Sequence, residues 1–132
     1  MNYEDKYALL SDLITLAQAD DKVTQEEYDF ICRLADRMHV LKEEVDQLFK
    51  EPRPSKPIFS ELERITHFHK LLLLMNVDRE AHPKEVIALK NFGLRMGIRP
   101  GVIDQILIKQ ESYPHKIIPA EELLKIFQTY YN

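Results

Sequence analysis

The sequence contains very little glycine and only one cysteine. Three of its 132 residues are glycine, and all three lie between Gly93 and Gly101. All-β domains place glycine in their turns, whereas helices need little of it, so this scarcity favours helical structure. Cys32 has no second cysteine with which to form an internal disulfide or a zinc cluster. Its place in a helical pattern predicts a small buried apolar side chain rather than a reactive thiol.

Long apolar runs and clusters of basic residues are also missing. The longest apolar run, Leu71 to Met75, is too short to span a bilayer. The first residues lack the basic and apolar regions of a signal peptide. The net charge of −4 lacks the electrostatic footprint of a nucleic-acid-binding protein. These features predict a cytoplasmic protein with no nucleic acid partner and no direct membrane insertion. A protein partner of unknown identity is expected instead.

The apolar residues recur at helical spacing along most of the chain, within a globular composition of 45% hydrophobic and 30% charged residues. The pattern predicts an all-α fold: a single seven-helix domain covering residues 1–132, with no strand. Three prolines within residues 52–57 interrupt the pattern and predict a stiff connector over residues 51–57. The first apolar positions of the seven stripes are Tyr3, Tyr28, Val45, Phe59, Val86, Ile103 and Leu123.

An internal repeat appears when the sequence is shifted against itself by 58 residues, which predicts a pseudo-twofold fold. Repeat one covers about residues 3–50 and repeat two about 58–110, with a C-terminal helix at about 119–131. Pro83 predicts a helix start in repeat two, and by analogy a break near Thr24 in repeat one. Identical residues at the shifted positions are Leu13, Leu16, Asp20, Glu27, Arg37, Met38, Asp46 and Gln47 with Leu71, Leu74, Asp78, Glu85, Arg95, Met96, Asp104 and Gln105.

Each repeat contains an acidic loop in which a glutamate follows an aspartate by seven residues. For the glutamates, helix capping is favoured over ligand binding. Thr24-x-x-Glu27 has the form of a capping box, and His82 with Glu85 has a weaker version of it.

The aspartates Asp20 and Asp78 leave two interpretations open. A carboxylate at the C-terminal end of a helix faces the negative end of the helix dipole and therefore needs a partner. That partner is either the backbone of its own turn or a cation. If the loops converge, oxygen ligands favour calcium or magnesium ahead of zinc or manganese, although no cofactor is required by the sequence. The candidate ligands are Asp20, Asp21, Glu27, Asp78 and Glu85, with His82 as an additional ligand in the second loop.

The first repeat resembles the TerB family, which comprises bacterial tellurite-resistance proteins and the N-terminal domain of DjlA-type cochaperones. The resemblance is carried by residues 9–13, by Ala17-Gln18-Ala19-Asp20-Asp21-Lys22-Val23 and by Glu26-Glu27, and in diluted form by residues 77–85. It implies a seven-helix fold with an internal repeat, no enzymatic activity, and a link to tellurite and envelope stress. It also implies acidic residues suspected of binding metal. Asp21 and Arg79 depart from the family, which favours glycine there, and no J-domain is present.

Three functions follow as hypotheses. The first is a non-enzymatic, stress-related binding or scaffold module whose acidic loops hold a divalent cation or a basic partner. The second assigns the carboxylates a purely structural role, with protein–protein interaction through another surface. The third, a metal-dependent hydrolase, is disfavoured because no separate base, nucleophile or substrate-binding cation is apparent.

Overall fold

The fold is known from a computed structural model that describes the backbone of residues 1–78 and 81–131 and the side chains up to residue 129. Within these ranges the chain forms seven α-helices, one short 3-10 helix and no strand, which confirms the predicted all-α class. None of the described helices is long and apolar enough to cross a bilayer. The α-helices are α1 (Tyr3–Ala17), α2 (Gln25–Arg37), α3 (Lys42–Lys50), α4 (Glu61–Met75), α5 (Pro83–Arg95), α6 (Pro100–Gln110) and α7 (Ala120–Tyr131).

The helix ends follow from local sequence. Asn2 caps α1, since its Oδ1 accepts a hydrogen bond from the backbone N–H of Asp5 at 2.8 Å. Proline occupies the first turn of α5 and of α6, as predicted. The prediction for Phe59 was wrong: it precedes the cap of α4 at Ser60 and is 88% exposed, because the helix begins only after the connector. The 3-10 helix Pro114–Lys116 was not predicted.

The hydrophobic core is built around α1 and α4, which pack against each other. Helix α1 also contacts α2, α3 and α5, whereas α4 contacts α2, α5 and α7. Both helices are therefore apolar on several sides, and in α4 this includes the run Leu71 to Met75. Their fully buried side chains include Leu10, Leu13, Leu71 and Phe68.

The connector, which in the structure covers residues 51–60 between α3 and α4, lies against α1. The backbone N–H of Arg53 donates to Oγ of Ser11 at 2.8 Å, and the hydroxyl of Ser55 donates to Oδ1 of Asp12. Ser11 and Asp12 are buried polar residues of α1, and these bonds satisfy them. The connector therefore fixes the start of α4 relative to α1.

Gly93 marks the closest approach of α5 to its neighbours. A Cβ atom added there would lie 2.5 Å from Cδ1 of Ile103 and 3.2 Å from Cε1 of Phe68, and all three residues are buried. We expect Gly93→Val to lower the free energy of unfolding by about 1–3 kcal/mol, because the core has no room for the added atoms. Gly101→Val is the matched control, since nothing lies within 4 Å of a Cβ at this exposed position of α6. Urea unfolding that gives equal stability for the two variants would contradict this packing.

Candidate acidic site

The first acidic turn begins after α1 has ended at Ala17. Asp20 lies in this turn and not in the helix, and its Oδ1 accepts a hydrogen bond from the backbone N–H of Lys22 at 3.2 Å. Asp20 therefore has the local backbone partner that was one of its two predicted options, and the argument from the helix dipole loses weight. Asp21 is exposed and has φ of 64°, a left-handed conformation that aspartate tolerates better than most residues. This is the position at which the TerB family favours glycine.

Glu27 closes the predicted capping box at the start of α2. Its backbone N–H donates to Oγ1 of Thr24 at 3.1 Å, and its Oε1 accepts from the backbone N–H of Thr24 at 2.9 Å. The capping interpretation is thus confirmed. Capping alone does not require burial, however, and the residue is only 1% exposed. A buried carboxylate needs partners for both of its oxygens.

Glu85 has the same arrangement at the start of α5. Its Oε1 accepts from the backbone N–H of His82 at 3.1 Å, and the residue is 2% exposed. The side chain of His82 is exposed, and its Nδ1 accepts from the backbone N–H of Lys84 at 3.1 Å. Nδ1 of His82 is therefore engaged in capping α5, which gives no support to its predicted role as an additional metal ligand.

The two glutamates meet between the two halves of the chain. Burial raises the pKa of Glu85 to about 8, and the side-chain hydrogen bond with Glu27 and the negative charges of Glu27 and Asp20 add to the effect. The bond from the backbone of His82 acts in the opposite direction. In the described part of the chain, no backbone group and no other side chain donates to Oε2 of Glu27 or to Oε2 of Glu85. With a pKa of about 8, Glu85 keeps its proton at neutral pH and shares it with Glu27 in their hydrogen bond.

The remaining predicted aspartate ligand lies in the second acidic turn. Asp78 is half-buried in the turn that follows α4, and Arg79 lies outside the described residues. Over residues 1–78 and 81–131, no three His, Cys, Asp or Glu side chains are arranged to hold a metal ion. The donor chemistry of the glutamate oxygens suits a hard cation, but a full set of ligands is not assembled in this arrangement.

A second polar cluster, around Asp12, was not predicted from the sequence. Oδ2 of Asp12 lies 2.9 Å from Nε2 of His67, while its Oδ1 accepts from Ser55. Serine and histidine both bond to the aspartate, so the histidine does not activate the serine as it does in a Ser-His-Asp triad. The cluster joins α1, the connector and α4, and only the fold brings together residues so far apart in the chain.

Comparison of the chain with protein-family models, with curated proteins and with solved structures gives no match.

Proposed function

We propose that the protein is a non-enzymatic binding module, similar to TerB domains and acting in the cytoplasm, whose acidic turns bind a divalent cation at the Glu27–Glu85 pair. The observation that carries the proposal is the pair of buried Oε2 atoms, one on each glutamate, to which no other group of the described residues donates a hydrogen bond. A buried oxygen of this kind is costly unless a proton or a cation satisfies it. Oxygen ligands favour calcium or magnesium over zinc.

The third ligand in this proposal is Asp20. Its negative charge is the smallest of the causes that raise the pKa of Glu85, and in the described arrangement these three carboxylates are not close enough to hold a metal ion together. Its bond to the backbone N–H of Lys22 is long, at 3.2 Å, and the residue is half-buried. Asp20 leaves this bond and turns toward the glutamates when the cation replaces their shared proton.

A duplicated unit explains why the two glutamates meet. What supports the duplication is the placement of the helices: α1 and α4 are each 15 residues long, and α2 and α5 are each 13 residues long. In both pairs, and in α3 with α6, the second helix begins 58 residues after the first. Related units that pack on each other place equivalent residues on either side of their common axis.

Calorimetric titration of metal-free protein tests the cation site. We expect calcium or magnesium to bind and to displace the proton of the glutamate pair. Because the pKa of Glu85 is about 8, close to one proton is released at pH 7 and about a tenth of a proton at pH 9. The release is measured by repeating the titration in buffers with different enthalpies of ionisation.

Two variants decide whether the heat comes from this site. Glu85→Gln removes one ligand and keeps an oxygen for the cap of α5, so we expect at least tenfold weaker binding. Glu26→Gln is the matched control, because Glu26 is an exposed acid in the first turn of α2. The absence of binding heat with calcium, magnesium, manganese and zinc would rule out the proposal. An equal loss of cation affinity in both variants would also rule it out.

The second candidate function assigns the carboxylates to structure and places a protein-binding surface elsewhere. It is favoured by the capping bonds of Glu27 and Glu85 and by the local bond of Asp20. It predicts that titration with cations gives no binding heat. It also predicts that the variant Asp20→Asn binds the protein partner as well as the wild type does. A hydrolase function ranks below both, and a screen of phosphoesters with added manganese tests it.

A further inference from the structure

A groove of about 680 Å³ lies between α1 and α4, on a different part of the molecule from the acidic turns. The buried side chains of Ala8 and Leu9 form part of its floor, and residues 56–60 of the connector form one wall. Phe59 is 88% exposed and Leu62 is 65% exposed along this groove. Two large apolar side chains displayed together beside a concave surface mark a binding site more often than a solvent-facing one.

Two of the three acidic residues that line the groove, Asp5 and Asp12, have partners within the chain, and the third, Glu63, is exposed. Oδ1 of Asp5 lies 2.7 Å from Nζ of Lys56, and the hydrogen bond with this lysine lowers the pKa of Asp5. Asp12 bonds to Ser55 and His67. These carboxylates are therefore satisfied within the chain and do not need a ligand.

Lys70 is the half-buried charged residue of the groove that has no ion-pair partner among the described residues. It is half-buried on α4, and burial lowers the pKa of its ammonium group. No carboxylate of the described residues pairs with it: Glu63 is two helical turns away, about 10 Å along the axis. An unpaired ammonium at a partly buried position gains most from an anionic group that arrives with a ligand.

We propose that this groove binds a medium-chain fatty acid, with the carboxylate at Lys70 and the alkyl chain over Leu62 and Phe59. Leu62 and Lys70 are eight residues apart on α4, which separates them by about 12 Å and suits a chain of moderate length.

The size of the groove favours a small ligand over a docked protein helix. A volume of about 680 Å³ falls within the range of small-molecule sites, roughly 300–1,000 Å³. The groove is lined by fifteen residues, whereas a stable protein interface takes roughly 20–30 residues from each partner.

Three ligands of equal chain length separate the contributions of charge and chain. We expect decanoate, studied below its micelle concentration, to bind at least tenfold more tightly than decanol and decylamine. Amide shifts measured by NMR should map to α4 and to the connector near Phe59. Equal binding of the three ligands, binding of none of them, or shifts confined to other helices would overturn the proposal. Capture of acidic helical peptides or of anionic phospholipid vesicles without decanoate binding would also overturn it.

The variants test the two parts of the groove separately. Lys70→Met should remove the preference for decanoate over decanol, and Lys70→Arg should keep it. Lys90→Met is the control, since Lys90 lies on α5 and pairs with Asp104 at 3.6 Å. Phe59→Ala should weaken decanoate and decanol alike. A preference for the carboxylate that survives in Lys70→Met would refute the assignment even if the groove binds alkyl chains.

Discussion

Replacing Glu85 with glutamine should make the folded protein more stable at pH 9 and leave it almost unchanged at pH 4. Folding raises the pKa of Glu85 from its ordinary value of 4.5 to about 8. Between these pH values the folded protein holds a proton that the unfolded chain has lost, so the stability of the wild type falls as the pH rises. Glu85→Gln does not lose stability in this way, because glutamine does not titrate. Its advantage above pH 8 reaches roughly 5 kcal/mol as an upper limit.

The amide of glutamine also suits the geometry of the site. Its Oε1 can keep the bond from the backbone N–H of His82, and its NH₂ group can donate to Oε2 of Glu27 in place of the proton of Glu85. Urea unfolding at pH 5, 7 and 9 in the presence of a chelator measures the effect, with Glu26→Gln as the control. A difference between wild type and Glu85→Gln that does not change with pH would contradict the shared proton.

The same experiment on Glu27 measures how much of the raised pKa of Glu85 comes from its neighbour. Glu27→Gln should give a smaller gain at pH 9 than Glu85→Gln, because it removes the charge of Glu27 but leaves the burial of Glu85, which is the largest cause of the raised pKa. The double variant should add little to Glu85→Gln, since both substitutions act on one interaction. Additive gains would contradict a direct interaction between the two glutamates.

The second large effect is expected in the core. Phe68→Ala should lower the free energy of unfolding by about 3–5 kcal/mol, because it removes a fully buried ring where α4 passes Gly93 of α5. A loss of this size is a large share of the total stability of a small domain, about 5–15 kcal/mol. The measurement is urea unfolding at pH 5.

Phe59 provides a matched control for this prediction. It is the same residue type nine positions earlier, but it is 88% exposed in the connector. Phe59→Ala should therefore change stability by no more than about 0.5 kcal/mol. Comparable losses in the two variants would mean that the ring of Phe59 is packed, and the groove beside α4 would then not be open.

The sequence predicted the helices well because their limits are set locally. Periodic apolar residues, the prolines at positions 83 and 100 and the capping box of Glu27 act within one or two helical turns. Phe59 was misplaced because its spacing from Leu62 fits a helix, although Ser60 followed by Glu63 three residues later is a local signature of a helix start at Ser60. The repeat at an offset of 58 residues stays a prediction, as does the TerB-like assignment.

The chemistry of the acidic site was only half predictable. The capping bond of each glutamate could be predicted from a residue three positions away. The environment of its second carboxylate oxygen, however, depends on the other glutamate, which is 58 positions away. The repeat gave the one signal that could have suggested this pairing, because equivalent residues meet when two related units pack together. The bond between Asp12 and His67 and the lack of a partner for Lys70 had no such signal, since they arise from contacts between distant parts of the chain.

The hydrogen bonds between the connector and α1 have a consequence for ligand recognition. Arg53 and Ser55 hold one wall of the groove in place before any ligand arrives. A wall that is already ordered loses little conformational entropy on binding, so more of the contact energy appears as affinity. Selectivity in such a site comes from preorganisation, and a groove with a loose wall of the same composition would adapt to many ligands and discriminate among few.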